Sequence, residues 1–130
     1  MDDAPTRAAM EATLQAYVDR INAGDAAGVL ALFAPDAVIE DPIGSPIKQG
    51  ADLPRWFEET VAFATRITPV APIRGSHANE ALLVFDVEFT PPDSPRLRIR
   101  SADACRFDSE GRITSLRAFW GPEDLAPATS

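Results

Sequence analysis

Apolar positions recur along this chain with two different periods, which divide it into a helical first half and a β-rich second half. From Met10 to Ile21 they follow the i, i+4, i+7, i+8, i+11 spacing of a single helix face. From Arg96 to Phe107 the inward and outward positions alternate with period two, as in a strand with one buried face. The pattern predicts helices over residues 5–22, 25–33 and 52–65, and strands over residues 37–41, 67–74, 81–89, 96–107 and 112–120.

The order of these elements predicts the fold class. Helices come first and a β meander follows, which is typical of an α+β domain whose three helices pack on one face of a curved, mostly antiparallel sheet. Gly24 follows the first helix, Asp25 is placed to cap the second, and Asp52 is placed to cap the third. Residues 42–50 are rich in Pro, Gly and Ser and are predicted to form a loop, and residues 121–130 a loose tail. We therefore expect residues 1–130 to form a single domain.

Three ionisable side chains fall on apolar faces of these elements. Tyr17 lies within the apolar stripe of the first helix, and Asp103 lies on the face of its strand opposite the arginines. Glu40 and Asp41 are adjacent and point opposite ways, and parity with Ile39 favours Asp41 as the inward residue. Burying an unpaired ionisable group costs several kcal/mol or forces a large pKa shift. Three such groups in one fold indicate a chemical site.

Composition narrows the class of protein. At 130 residues and 45% apolar content, the chain can bury roughly two-thirds of its unfolded surface in one core. Its 20 acidic and 12 basic residues give a net charge of −8, which repels phosphate and argues against nucleic acid or a membrane as partner. One cysteine excludes an internal disulfide, and no apolar run approaches the ~20 residues of a membrane span. We expect a cytoplasmic protein.

Several familiar chemistries are excluded by the residue inventory. With one histidine and one cysteine the chain lacks the ligands of a zinc cluster, and it has no Asp-rich calcium loop. A Ser/His/Asp arrangement would have to use His77, which lies in a predicted turn. Gly-rich phosphate loops and dinucleotide fingerprints are also missing. The sequence therefore predicts acid–base chemistry without a cofactor or a metal.

Each singled-out residue also has a purely structural interpretation. An Asp before Pro, as at Asp41, is most often a turn former, and Tyr17 alone is more often a core tyrosine. Asp103 would face outward if a β-bulge shifted the strand, and Trp120 by default packs in the core or at its rim. The three structural interpretations are less probable in combination than singly. Three independent elements would each have to place a polar group on an apolar face by chance.

Five short motifs carry a family resemblance. They are YVDRINAGD at residues 17–25, AVIEDPIGS at 37–45, RGSH at 74–77, DACRFD at 103–108 and RAFW at 117–120. Together they resemble bacterial ketosteroid isomerase, over about residues 10–120. The resemblance implies the cone-shaped fold of nuclear transport factor 2 and a homodimer. It also implies isomerisation of 3-oxo-Δ5-steroids to their conjugated Δ4 isomers.

The resemblance also assigns roles by position. Asp41 matches the general base, Tyr17 and Asp103 match the two oxyanion-hole donors, and Trp120 matches an aromatic residue that hydrogen-bonds to the base in some members. In that family the base has only a modestly raised pKa, whereas the second Asp is kept protonated by its apolar site. The base takes a proton from C4 of the steroid and returns it to C6. An apolar slot for the steroid is expected from Val38, Trp56, Phe57, Phe63, Phe85, Leu116, Phe119 and Trp120.

The chain departs from the family in two places, and other functions stay open. Tyr17 is the only tyrosine, so the tyrosine network of some members is missing, with Phe33 and Phe57-Glu58 near the corresponding places. The Pro91–Pro95 loop is longer and stiffer than the usual hairpin. Alternatives are another acid–base enzyme of the same fold acting on a polyketide or cyclic ketone, and a non-catalytic module that binds an apolar ligand.

The arginine stripe gives a separate expectation about assembly. Four arginines share the outward face of one predicted strand, which a monomer of this size would have to leave in solvent. We expect them to meet acidic surface on a second copy across a two-fold interface. The four residues are Arg96, Arg98, Arg100 and Arg106.

Overall fold

The computed structural model describes residues 4–128, which form three helices and one seven-stranded sheet. The helices are α1 (Arg7–Asn22), α2 (Ala26–Leu30) and α3 (Asp52–Ala62). The strands are β1 (Phe33–Glu40), β2 (Lys48–Gln49), β3 (Arg66–Pro69), β4 (Glu80–Phe89), β5 (Leu97–Phe107), β6 (Ile113–Phe119) and β7 (Leu125–Pro127). None of the helices within residues 4–128 is long and apolar enough to span a membrane.

The sheet is largely antiparallel, as predicted, with one parallel pair. Its strand order is β2-β1-β6-β5-β4-β3, and β7 pairs with β5 at the end where that strand begins. β1 and β6 run parallel, while the other pairs are antiparallel. Central strand β5 therefore lies between β4 and β6, and the inward faces of these strands form the wall against which the helices pack.

Helix ends agree in part with the sequence signals. Thr6 caps α1 by accepting a hydrogen bond from the amide of Ala9 at 3.0 Å, and Asp25 caps α2 through the amide of Gly28 at 2.9 Å. Gly24, with φ of 72°, ends α1 as predicted. The prediction for α3 is wrong: Ala51 occupies the capping position without a side-chain bond, and Asp52 is the first helical residue.

Several predicted boundaries differ from the structure. β3 ends at Pro69 rather than at residue 74, and α3 ends at Ala62 rather than at residue 65. β1 begins at Phe33, within the span predicted as the second helix, and its register with β6 shifts between Phe33 and Val38. The 42–50 loop contains the two-residue strand β2. The loose tail is wrong for its described part, because Pro122–Asp124 forms a 3₁₀ turn and Leu125–Pro127 pairs with β5. Residues 129–130 of the predicted tail lie outside the described residues.

The arginines along β5 pair with acidic residues of the same chain. They therefore do not need acidic residues of a second copy, which was the reason for expecting a two-fold interface at this face. Arg100 makes two bonds to Asp86 on β4, at 2.8 and 3.0 Å, from Nε to Oδ1 and from Nη2 to Oδ2. Arg96 lies 3.2 Å from Glu88, and Arg106 lies 3.6 Å from Glu80. Cross-strand neighbours in an antiparallel pair are close enough for such contacts. The charge of three of the four arginines is therefore balanced by acids of the adjacent strand.

A pair of hydrogen bonds fixes α1 against the sheet. The side chain of Asn22 donates to the carbonyl oxygen of Ile67 at 2.8 Å and accepts from its amide at 2.7 Å. Both backbone groups of this β3 residue are thus satisfied by one amide side chain. The contact holds the C-terminal half of α1, and with it Tyr17, against one end of the sheet.

Candidate active site

A cavity of about 250 Å³ opens between the helices and the inward face of the sheet. Its walls come from α1, α3 and the segment after it, β3, β4, β5 and the residues that follow β1 and β6. Most of the lining is apolar, and the polar groups converge from different elements. The lining residues are Tyr17, Ile21, Asp41, Trp56, Glu59, Thr60, Phe63, Thr65, Ile67, Phe85, Val87, Phe89, Ile99, Ser101, Asp103 and Trp120.

The three side chains singled out by parity all reach this cavity. Tyr17 comes from the buried stripe of α1, Asp103 from the inward face of β5, and Asp41 from the residue directly after β1. The amphipathic periods of α1 and β5 determine where the first two point. Three residues far apart in sequence are thus brought to one apolar cavity.

Asp103 is the most deeply buried carboxyl group of the site, with 3% of its surface exposed. Its neighbours across the ladder are Leu83 on β4 and Ala118 on β6, both fully buried. Its Oδ1 has no hydrogen-bond partner among the described residues. Burial raises the pKa of Asp103 well above 3.8, and the nearby charge of Asp41 adds to the rise. The environment therefore favours the protonated acid, which can donate a hydrogen bond.

Asp41 lies in a more polar environment at the edge of the sheet. Because β1 and β6 run parallel, the residues after their C-terminal ends lie close together, and Trp120 donates a hydrogen bond from Nε1 to Oδ1 of Asp41 at 2.8 Å. Burial raises the pKa of Asp41, while the Trp120 bond and the charge of Lys48 oppose that rise. The carboxylate form is therefore favoured more at Asp41 than at Asp103.

The neighbour Glu40 points away from this site, as parity predicted. Its carboxylate accepts hydrogen bonds from the amide of Gly44 at 3.0 Å and from Nε of Arg117 at 3.3 Å. These two contacts lower the pKa of Glu40. Of the adjacent carboxylates, only Asp41 lines the cavity.

Tyr17 is held by aromatic packing. Its ring centroid lies 6.2 Å from that of Phe33, which in turn lies 5.0 Å from Phe57. Burial raises the pKa of Tyr17 well above 10.0, and the charge of Asp41 contributes. The phenol therefore stays protonated at neutral pH and is a hydrogen-bond donor. Phe33 and Phe57 supply no hydroxyl, so the departure seen in the sequence is also present in the structure.

Lys48 lies beside Trp56 of the cavity wall. Its Nζ lies 4.4 Å from the centroid of the Trp56 ring, a cation–π distance. Lys48 belongs to β2, which pairs with β1 at Ile39, two residues before Asp41. The short strand missed by sequence analysis therefore positions the cation that acts on the buried carboxylate.

The structure separates the predicted lining residues into two groups. Trp56, Phe63, Phe85 and Trp120 line the cavity. The other four are corrections: Phe57 and Leu116 are fully buried in the core, whereas Val38 and Phe119 lie on the outer faces of β1 and β6. Apolar character alone does not distinguish a core position from a cavity wall.

Sequence reasoning did not identify four further polar residues of the lining, which are Glu59, Thr60, Thr65 and Ser101. Glu59 on α3 is a third carboxylate bordering the cavity, and Ser101 on β5 places a hydroxyl group there. The period of β5 already put Ser101 on the inward face, two residues before Asp103. The spacing of α3, with Trp56 inward, was the available signal for Glu59 at i+3.

Known proteins resemble the chain over most of its length. The SnoaL-like domain matches residues 14–116. "Steroid Delta-isomerase" of Nocardioides simplex is 34% identical over 118 residues, which are 91% of this chain and 94% of that protein. "Epoxide hydrolase LasB" of Streptomyces lasalocidi is 32% identical over 112 residues, covering 83% of this chain and 40% of LasB. The chain thus spans less than half the length of LasB.

Structural similarity extends to a cyclase-like enzyme. SalBIII is described as an epoxide hydrolase/cyclase-like enzyme with a role in pyran ring formation in the polyether salinomycin. Its structure matches this one with a TM-score of 0.85 at 26% sequence identity, covering 92% of this chain and 95% of SalBIII.

Proposed function

We propose that this chain, which belongs to the SnoaL-like domain family, is a steroid Delta-isomerase, in agreement with the resemblance of its motifs to ketosteroid isomerase. The reaction moves the double bond of a 3-oxo-Δ5-steroid into conjugation with its carbonyl group. The observation that supports this most strongly is the pair of carboxyl groups, Asp41 and Asp103, in one apolar cavity: burial raises the pKa of both, and it raises that of Asp103 more. Such a pair supplies a base and an acid without a cofactor.

In the proposed mechanism Asp41 is the base. Its carboxylate removes the proton from C4, which is acidified by the adjacent carbonyl group and double bond. The electron pair of that C–H bond moves into a dienolate, and negative charge collects on the carbonyl oxygen. The protonated Asp41 then returns the proton to C6, which leaves the conjugated enone and regenerates the carboxylate.

Tyr17 and neutral Asp103 stabilise the dienolate in this mechanism. Both groups are buried, and both have pKa values raised above their ordinary range, so each holds the proton that it donates to the oxygen. Donors aimed at developing charge in a site without water act more strongly than in solvent. Asp103 lines the cavity, and its Oδ1 is buried without a hydrogen-bond partner among the described residues.

Size bears on the choice of substrate. The cavity volume of about 250 Å³ lies below the roughly 300–1,000 Å³ of pockets that enclose a drug-sized ligand. A four-ring steroid would leave one end in the opening, where Glu59 is exposed. A smaller cyclic ketone would be enclosed.

A second candidate function has support from the relatives. LasB and SalBIII are named for epoxide hydrolase or cyclase-like chemistry, and the same pair of carboxyl groups fits epoxide opening. Neutral Asp103 would protonate the epoxide oxygen as its C–O bond breaks, and Asp41 would take the proton from the attacking hydroxyl group. In a third alternative, a non-catalytic binding module, Asp41 would be dispensable.

The deciding experiment uses the full chain and 5-androstene-3,17-dione. We expect the ultraviolet absorbance of the conjugated enone to appear with the parent protein and to be nearly lost with Asp41→Asn. A protein that leaves the steroid unchanged but opens a hydroxy-epoxide in an Asp41-dependent manner would support the second function instead. Turnover of neither substrate would contradict both enzymatic proposals.

A further inference from the structure

Ser101 is a buried hydroxyl residue in the wall of the cavity. It lies on β5 two residues before Asp103 and on the same face, and 4% of its surface is exposed. Its ladder partner is Phe85 on β4, which also lines the cavity. A polar group thus interrupts an apolar part of the wall.

The hydroxyl group of Ser101 finds no partner in the protein. Its Oγ is inaccessible and makes no hydrogen bond to any described residue, as is also true of Oδ1 of Asp103. An unpaired buried hydroxyl group is unfavourable, whereas an alanine in the same place would leave nothing unsatisfied. Two unpaired polar atoms therefore lie on the same face of one strand, and both residues line the cavity.

The surroundings show why the protein itself does not satisfy this group. The lining neighbours of Ser101 on β4 and β5 are Phe85, Val87, Ile99 and Asp103. The first three offer no side-chain donor or acceptor, and Asp103 makes no hydrogen bond to Ser101. The backbone groups of β4 and β5 are engaged in the ladder. A ligand in the cavity is the remaining source of a polar contact, and because Oγ has almost no accessible surface, the hydroxyl group must turn about χ1 toward the cavity to reach it.

We infer that Ser101 binds a second oxygen atom of the substrate and determines specificity for an oxygenated cyclic ketone. Side chains two residues apart on one strand face are separated by about 6.6 Å, because each residue advances about 3.3 Å. The substrate would therefore carry a hydroxyl, ether or carbonyl oxygen roughly 7 Å from the carbonyl oxygen that Asp103 holds. This inference rests on the proposed function, which places the reacting carbonyl group at Asp103.

The test compares two aromatic ligands. 2-Naphthol presents one hydroxyl group as a mimic of the dienolate oxygen, and 2,6-dihydroxynaphthalene adds a second at a comparable span. We expect the parent to bind the diol roughly three- to tenfold more tightly, the effect of one net hydrogen bond. Ser101→Ala should abolish this preference with little change in the affinity for 2-naphthol. Titration calorimetry measures both dissociation constants.

Two further variants serve as controls. Ser101→Thr retains the hydroxyl group and should retain the preference for the diol, even if its added methyl group weakens both ligands. Ser115→Ala removes a serine from the outer face of β6, where it is paired with Arg106, and should retain the preference as well. A ratio of affinities that is the same in the parent and in Ser101→Ala would overturn the inference.

Failure of this inference is distinguishable from failure of the proposed function. Asp103→Leu should weaken both naphthols to a similar extent, and if it does not, the geometric assignment is wrong. If the protein leaves the steroid unchanged but still shows a preference for the diol that depends on Ser101, the inference about Ser101 is retained. The proposal that a steroid is the substrate is then contradicted. Absence of binding by either naphthol would overturn the inference.

Discussion

Trp120 donates a hydrogen bond to Asp41 across 2.8 Å, joining residues that lie 79 positions apart in the sequence. The parallel pairing of β1 and β6 makes this contact possible, because both residues follow the C-terminal ends of those strands. The bond favours the carboxylate form of Asp41, whereas burial favours the protonated form. The pKa of the proposed base is therefore raised by burial and lowered by two groups, the indole of Trp120 and the charge of Lys48.

Replacing Trp120 by Phe should move the acidic limb of the pH profile. Without the donor, the pKa of Asp41 rises, so a higher pH is needed to produce the carboxylate that acts as base. We expect the acidic limb of kcat/KM to shift upward by on the order of one pH unit. Phe63→Leu alters the cavity wall without removing this hydrogen bond or the contact of Lys48 with Trp56, and should leave the limb in place. Identical profiles for Trp120→Phe and the parent would contradict the role of the bond.

Asp41→Asn separates chemistry from binding. The amide keeps the size of the side chain but does not accept a proton, so turnover should fall by at least ~10²–10⁴. Binding of the steroid-like phenol equilenin should be at least as tight as in the parent, because the neutral amide does not repel a phenolate. The matched control is Glu40→Gln, which changes the adjacent carboxylate outside the cavity and should retain turnover. Parental turnover by Asp41→Asn would exclude Asp41 as the base.

The donor role of Asp103 predicts a difference between two substitutions. Asp103→Asn keeps a donor and should retain much of the activity, whereas Asp103→Leu should reduce turnover by on the order of 10²–10³. Tyr17→Phe should cost a similar or larger amount, since no second tyrosine is present to replace it. Steady-state rates of the three variants test this directly. Equal damage by Asn and Leu would mean that Asp103 does not act as a donor.

Burial of Asp103 also predicts how stability changes with pH. Its pKa is higher in the folded protein than the ordinary 3.8, so above that value the folded state holds a proton that the unfolded chain has released. The parent therefore loses stability as pH rises, until the pH reaches the folded pKa. Asp103→Asn lacks this titration. The unfolding free energy of the variant minus that of the parent should therefore increase by about 1.4 kcal/mol per pH unit in this range. Urea unfolding of both proteins at about pH 5 and pH 7 measures the difference.

We propose that the chain is a homodimer that uses the outer face of the sheet. Leu82 and Phe119 are 39% and 53% exposed there, and their ladder partners Ala104 and Ala102 on β5 add small apolar side chains between them. An exposed apolar patch suits a two-fold interface, in which the same surface of both copies meets. Sedimentation at micromolar concentration should show a dimer, and Phe119→Glu should weaken it. A parent protein that sediments only as a monomer would contradict the proposal.

Long regular elements explain why much of the site was predictable. Helix α1 has 16 residues and strand β5 has 11, so their periods fix the inward direction of Tyr17 and Asp103 without reference to the rest of the fold. Asp41 follows a strand whose burial alternates as parity predicted, with Ala37 and Ile39 fully buried. The same parity excludes Val38 from the cavity, although its apolar side chain suggested otherwise.

The remaining features depend on contacts between distant parts of the chain. β2 has two residues and β7 has three, too few to show a period, and both are fixed by pairing with longer strands. Pro35 looked like the end of a helix but lies in the irregular part of β1, where the register with β6 shifts and a missing amide is tolerated. The pairing of Arg100 with Asp86 likewise requires the register between β4 and β5, which periodicity does not give.

Tyr17 gives the molecule an unusual experimental property. It is the only tyrosine in the chain, and its side chain is buried in the wall of the cavity. Any change in tyrosinate absorbance, or in the resonance of a fluorine-substituted tyrosine, therefore arises from the Tyr17 side chain and reports on its phenol oxygen. Other tyrosines contribute no background. The protein carries an intrinsic spectroscopic reporter where the negative charge of the reaction is proposed to develop.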